Sequence, residues 1–229
     1  MTQIRGVIFD IDGTLVDSNN AHAHAWVEAM AEQGYNVSFE TVRRLIGMGG
    51  DKVLPQTLGI TKESEVGKQI SQCRKEIFRQ RYLPYLRAFP GARELLEHMH
   101  KQALRLLIAT SAEPDELQAL LQVIGPHVDA LFADIISARE ARHSKPDPDV
   151  LAIALQRSGL SPQELVMIGD TPYDIEAAAK VEIKTIAFRC GGWGDKDLAG
   201  AIMIYDGPVD LLARYDTSVF VKGIYSPFA

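Results

Sequence analysis

Short unbroken apolar runs alternate along this chain with stretches whose apolar residues recur at helical spacing. The stretches from about Arg5 to Asp10 around the run Val7-Ile8-Phe9, Leu104 to Ala109, Ile135-Ile136, Leu165 to Ile168, Lys184 to Phe188 and Ala201 to Ile204 read as strands. Runs this short that do not alternate with polar residues belong to strands covered on both faces. Among the helical stretches, Leu95, Leu96 and Met99 share one face, and Leu117, Leu120, Leu121 and Ile124 follow i, i+3, i+4, i+7. Gly125-Pro126 closes that second helix, and further helices are expected over Asp149 to Arg157, Asp174 to Lys180 and, last, Val209 to Arg214. Strand and helix in alternation predict a parallel sheet with helices on both faces.

One segment breaks the alternation. From Ser18 to Tyr85 the pattern is helix after helix: Ala21 to Gln33, a Ser38-capped helix carrying Val42, Leu45 and Ile46, then Asp51 to Leu58 and Lys62 to Leu83. Gly47-Met48-Gly49-Gly50 interrupts it. An all-helical stretch set between α/β stretches predicts a small inserted domain. The expected organisation is α/β, with a core from residues 1–17 and 86–229 and an insert from residues 18–85.

Composition narrows the function classes. The net charge of -6 comes with no basic stripe, which argues against nucleic-acid binding. No apolar run approaches the roughly 20 residues that span a bilayer, so no membrane partner is expected. The first strand follows the N-terminus directly, leaving no room for a signal peptide. Cys73 and Cys190 have no metal-type spacing, and a cytoplasmic protein with reduced thiols is expected.

The candidate chemistry lies where the strands end. Asp10 and Asp12 follow the first strand two residues apart, so both side chains can face one site. Carboxylates held this close repel unless a cation or proton lies between them. Thr110-Ser111, Lys145-Pro146 and Gly169-Asp170 with Asp174 follow other strands or loops, and a parallel sheet gathers all of these at one edge. Carboxylates without Cys or His suit a hard cation such as Mg2+. A phosphoryl group would supply the negative charge that the lysine and the cation balance.

Four motifs occur in order: Phe9 to Ser18, Thr110, Lys145-Pro146-Asp147-Pro148, and Gly169-Asp170-Thr171-Pro172-Tyr173-Asp174. Together they resemble the haloacid dehalogenase superfamily, in its phosphatase-type members with a helical (C1-type) cap, similar to phosphoglycolate phosphatases and β-phosphoglucomutases. The resemblance implies a three-layer Rossmann-like core with the insert as cap. It implies Asp10 as nucleophile forming an aspartyl-phosphate and Asp12 as general acid and base. Thr110, or the equally placed Ser111, would bind the phosphoryl group, and Lys145 would pair with it and with Asp10. Mg2+ would lie on Asp10, Asp170, Asp174 (directly or by orienting a water) and the backbone carbonyl of Asp12. An acid two residues after the nucleophile suits an alkoxide leaving group, which excludes carbon–halogen and carbon–phosphorus cleavage. In the cap, His22, Trp26, Arg43, Gly47 and Lys52 are the candidates for contact with the leaving group.

The expected activity is hydrolysis of a small phosphate monoester, a phosphorylated metabolite, by a monomer or weak homodimer. A sugar phosphomutase is the alternative. Against it, the mutases carry an arginine beyond the cap glycine and a Ser-Lys pair after the second strand, where this chain has Gly49-Gly50-Asp51 and Ala112-Glu113.

Overall fold

A computed structural model describes residues 2–224 of the chain. Residue 1 and residues 225–229, which the sequence assigns to the core, lie outside the described residues. Six strands form one sheet: β1 (Gly6–Phe9), β2 (Arg105–Ala109), β3 (Asp134–Ile136), β4 (Leu165–Gly169), β5 (Lys184–Phe188) and β6 (Met203–Tyr205), in the order β3-β2-β1-β4-β5-β6 with every pairing parallel. Four helices are central to the layering: α5 (Ala92–Lys101), α6 (Pro114–Ile124), α7 (Asp149–Ser158) and α8 (Pro172–Lys180).

The alternation of side chains along each strand sorts the two faces. Val7, Phe9, Leu106, Ile108, Val166 and Ile168 pack with Leu95, Leu96 and Met99 of α5 and Leu117, Leu120 and Leu121 of α6. Ile8, Leu107, Met167 and Ile136 turn to the opposite face, against Val150, Leu151 and Ala154 of α7 and Ala177 and Ala178 of α8. Burial on both faces is why these strands read as continuous apolar runs.

Strand β1 is flanked by β2 and β4, and the chain fills one side of it before the other. In such sheets ligands bind beyond the carboxyl ends at the point where strand order reverses. Asp10 follows β1 and Asp170 follows β4, and the registers Phe9↔Ile108 and Phe9↔Ile168 bring these ends level with β2.

Every regular element between β1 and α5 is helical: α1 (Asn19–Glu32), α2 (Phe39–Arg43), α3 (Gly50–Leu58), α4 (Glu65–Ile77), a π-helical turn (Phe78–Tyr82) and a 3-10 turn (Leu83–Tyr85). Ser38 Oγ accepts from Thr41 N at 3.1 Å to start α2, and Ser64 Oγ accepts from Gly67 N at 3.1 Å to start α4. The single helix expected to Leu83 stops at Ile77. The wider turn that follows presents Phe78 to α1, where its ring stacks on His22 with centroids 4.1 Å apart.

Other boundaries also differ from the sequence reading. Helix α2 ends at Arg43, and Leu45 and Ile46 lie in turns that follow it. The last strand begins at Met203 instead of Ala201, because Ala201 N bonds to Leu198 O in a turn. Val209 to Arg214 is not the last helix: α9 (Pro208–Ala213) is followed by α10 (Val219–Lys222), capped by Ser218.

Candidate active site

The carboxyl ends of β1 and β4 hold a buried charge cluster. Asp10, Lys145, Asp170 and Asp174 expose 3, 0, 0 and 0% of their surfaces, so each charge must be answered from within the protein. Lys145 Nζ lies 2.5 Å from Asp10 Oδ1 and 2.6 Å from Asp174 Oδ1. Asp174 Oδ2 accepts from Thr171 N at 3.0 Å and from Thr171 Oγ1 at 2.6 Å. Asp174 N bonds back to Thr171 Oγ1, which completes a capping box at the start of α8. Asp174 is thus both a helix-capping acid and the second partner of Lys145. Asp170 accepts from Thr14 Oγ1 at 3.1 Å and from Asn19 Nδ2 at 2.8 Å.

One oxygen from each of Asp10, Asp170 and Asp174 lies within 4.8 Å of the others. Three carboxylates against one ammonium leave two excess negative charges when all ionise. Burial, more than any other cause, pushes the Asp10 carboxyl up to about 7; Lys145 opposes the shift, and Asp174 and Asp12 add to it. Burial and the charges of Asp174 and Asp10 likewise raise Asp170 well above the ordinary range. The attraction of Asp10 and Asp174 outweighs burial and raises Lys145, which keeps its charge. A divalent cation would cancel the excess, and the all-oxygen donor set fits a hard one.

A pH dependence follows. Without a cation, the folded protein keeps a proton on Asp10 that the unfolded chain gives up above 3.8, so this stabilisation is lost as pH rises to about 7. A bound cation would displace that proton. The gain in Tm on adding MgCl2 should therefore be small at pH 5 and grow to a plateau above about pH 7. Melting curves with and without MgCl2 across this range check it; a gain that is flat or shrinks as pH rises would contradict it.

Asp12 faces a different set of partners. Ser18 Oγ donates to Asp12 Oδ1 at 2.5 Å, and His22 Nε2 lies 2.8 Å from the same oxygen. Burial alone would raise Asp12, but the charge of His22 and the bonds from His22 and Ser18 outweigh it and hold the carboxyl below its usual value. His22, read from the sequence as a substrate contact, is buried on Asp12 between the site and Phe78.

Above Asp10 and Asp12 lies a cavity of about 160 Å3 bordered by both acids, His22, Thr110, Ser111 and Trp26. Thr110 Oγ1 accepts from Ala112 N at 3.1 Å, and its own proton is free to donate. Ser111 Oγ is buried and has no hydrogen-bond partner among the described residues.

Arg43 and Lys52 do not border this cavity. The Arg43 guanidinium bonds to Gly191 O and, through Nε at 2.8 Å, to Asn20 Oδ1, beside a separate recess that includes Cys190 and Gly192. Lys52 Nζ bonds to Asp147 Oδ2 at 2.5 Å. The cations that do border it are Lys62, Arg74, Lys75 and Arg142, which the sequence reading passed over. Lys62 and Lys75 share Glu113 at 3.5 and 3.9 Å, and Arg74 pairs with Glu116 at 2.6 Å over the Trp26 ring. Thr14 and Asn19 were also missed; their only signal is adjacency to the Asp-rich stretch.

The comparisons with known proteins agree with this geometry. Residues 7–188 match the family model for haloacid dehalogenase-like hydrolases. The chain is 26% identical to pyrophosphatase PpaX of Oceanobacillus iheyensis over 194 residues, 85% of this chain and 86% of that protein. It is 29% identical to a phosphoglycolate phosphatase of Aliivibrio fischeri, covering 82% of this chain and 85% of the relative. A crystal structure of a hydrolase from Pseudomonas syringae superposes with a TM-score of 0.86 at 31% identity, covering 95% of this chain and 99% of that one. With a match over most of its length and the acids, lysine and hydroxyl gathered at one sheet edge, the chain belongs to the haloacid dehalogenase-like hydrolase family.

Proposed function

We propose that this protein is a Mg2+-dependent phosphatase acting on small phosphate monoesters through an aspartyl-phosphate on Asp10. The observation that carries the reading is Asp10 at the floor of a cavity, held against Lys145 with Asp170 beside it and Asp12 two residues on. Asp10, Asp170 and the backbone carbonyl of Asp12 would hold the cation, which when bound neutralises the phosphoryl oxygens. Asp174, whose oxygens accept from Lys145 and Thr171, seats the lysine and would either bind the cation directly or orient a water on it.

In the first half, an Asp10 oxygen attacks phosphorus, and the bond from phosphorus to the substrate's ester oxygen breaks. Asp12, held at Oδ1 by Ser18 and His22 and ionised in the free protein, takes up on Oδ2 the proton of the phosphate monoanion and passes it to that departing oxygen. In the second half, Asp12 takes a proton from water as the water oxygen bonds to phosphorus. The bond to Asp10 breaks, and phosphate leaves with the Asp10 carboxylate restored. Lys145 faces the charge developing on the phosphoryl oxygens, and Thr110 donates to one of them.

Helices α1 to α4 and the turns to Tyr85 act as the cap, residues 18–85, over a core of residues 1–17 and 86–229. Against the mutase alternative, the positions where a mutase carries its arginine and its Ser-Lys pair hold Gly49-Gly50-Asp51 and Ala112-Glu113. A Cβ on Gly50 would lie 3.1 Å from the Trp26 ring, and Glu113 faces the cavity lysines. Free thiols at Cys73 and Cys190 suit a cytoplasmic setting. Among the described residues, no helix is long and apolar enough to cross a membrane.

Phosphate release from a broad panel of monoesters, with and without MgCl2, tests the reading. Turnover that requires the cation supports it, and folded protein releasing nothing from any monoester would overturn it. Within such a panel, Lys62 and Lys75 are placed to bind an anionic leaving group. Replacing both by Ala should raise KM for such substrates about tenfold, with kcat little changed. A fall in kcat at constant KM would remove them from substrate binding.

A further inference from the structure

Asn19 opens α1, and its side chain reaches the charge cluster from the helical side. Nδ2 donates to Asp170 Oδ2 at 2.8 Å and to Gly191 O at 3.1 Å. Two acceptors around one nitrogen fix the direction of the amide, since the flipped form would turn its oxygen onto a carboxylate and a carbonyl. Oδ1 therefore points elsewhere; it is buried and has no partner among the described residues. Buried amide oxygens left unpaired are rare in folded proteins, so a partner for this one is called for.

The surroundings are closely fitted. A Cβ at position 13 would fall 2.1 Å from Asn19 Nδ2 and 2.3 Å from Asp170 Oδ2, and one at position 191 would fall 1.8 Å from Asp170 Oδ2. Both neighbours are glycine, and Gly13 also has φ +78°, a conformation side-chain-bearing residues rarely adopt. The nearby carboxylates already have donors: Asp170 has Thr14 and Asn19, and Asp174 has Lys145 and Thr171. A small hard cation keeps several waters, whose hydrogens need acceptors.

We infer that Asn19 is a positioning residue for the cation: Nδ2 orients the Asp170 carboxylate, and Oδ1 accepts a hydrogen bond from a water on the ion. This rests on the cation site proposed above. Partners that orient ligands in this way typically change metal affinity by about 10- to 100-fold when removed.

The test uses the full chain at pH 8, with Mg2+ affinity read by calorimetry, Mn2+ affinity by electron paramagnetic resonance, and folding by circular dichroism. Asn19→Ala should weaken both ions by about 10- to 100-fold. Arg43→Met removes another bond to Gly191 O, and with it a positive charge near Asp170, so it should bind no more weakly than the parent. Parental affinity in Asn19→Ala would overturn the assignment. Equal losses in Asn19→Ala and Arg43→Met would also overturn it, because displacement of the Gly191 turn would then explain both. Wild-type protein that binds neither ion would overturn the cation site itself, a result distinct from the others.

Discussion

Replacing Asp10 by Asn should cut phosphate release by about 10^4-fold or more while the protein stays folded. The amide matches the carboxyl in shape, so packing is kept, but its oxygen is a poor nucleophile toward phosphorus. The substitution also removes one negative charge from a cluster with an excess of them. Burial already pushes the Asp10 carboxyl up to about 7, so ionising it there is unfavourable. Without a cation at pH 8, the variant should therefore melt no lower than the parent. Phosphate release and melting measured on one preparation check both halves. Activity above about one hundredth of the parent's would show that Asp10 does not carry the phosphoryl group.

The second large effect lies at Lys145. It is fully buried, and its ammonium lies between Asp10 and Asp174. Removing one partner from a buried ion pair leaves the other charge uncompensated, at a cost of about 3–5 kcal/mol. For a chain of this size each kcal/mol shifts Tm by roughly 2–4 °C, so Lys145→Met should lower Tm by about 10 °C at pH 8 without a cation. The loss should be smaller at pH 5, where Asp10 holds a proton and less charge is stranded. Activity should vanish with the charge. An unchanged Tm at pH 8 would mean that solvent or a rearrangement answers the two carboxylates, against the burial described above.

What was legible in the sequence follows from what parallel sheets enforce. Four apolar runs fixed where β1, β2, β4 and β5 end, and parallel pairing left no choice about which edge gathers Asp10, Thr110 and Asp170. Lys145 came from its motif, as no strand precedes it directly. The cations around the cavity were not legible. Which face of α4 meets α6 depends on packing between distant segments, and that packing brings Lys62, Arg74 and Lys75 over the site. It leaves Arg43 and Lys52 on Gly191 and Asp147. Asn19 reads as an ordinary polar residue at a helix start, and its position against Asp170 appears only once β4 stands beside β1. The start of β6 was misplaced because a continuous apolar run carries no mark of where pairing begins.

Ser144 accepts a bond from Gly49 N at 2.9 Å, donates its own N–H to Asp51 at 3.1 Å, and immediately precedes Lys145. The helical roof and the ammonium on the floor are thereby fastened to one short loop. If the proposed cap lifts to admit or discharge a molecule, it would pull on the loop that seats Lys145 against Asp10. Such a link would act as an interlock, with the lysine seated while the cap is down and loosened as it rises.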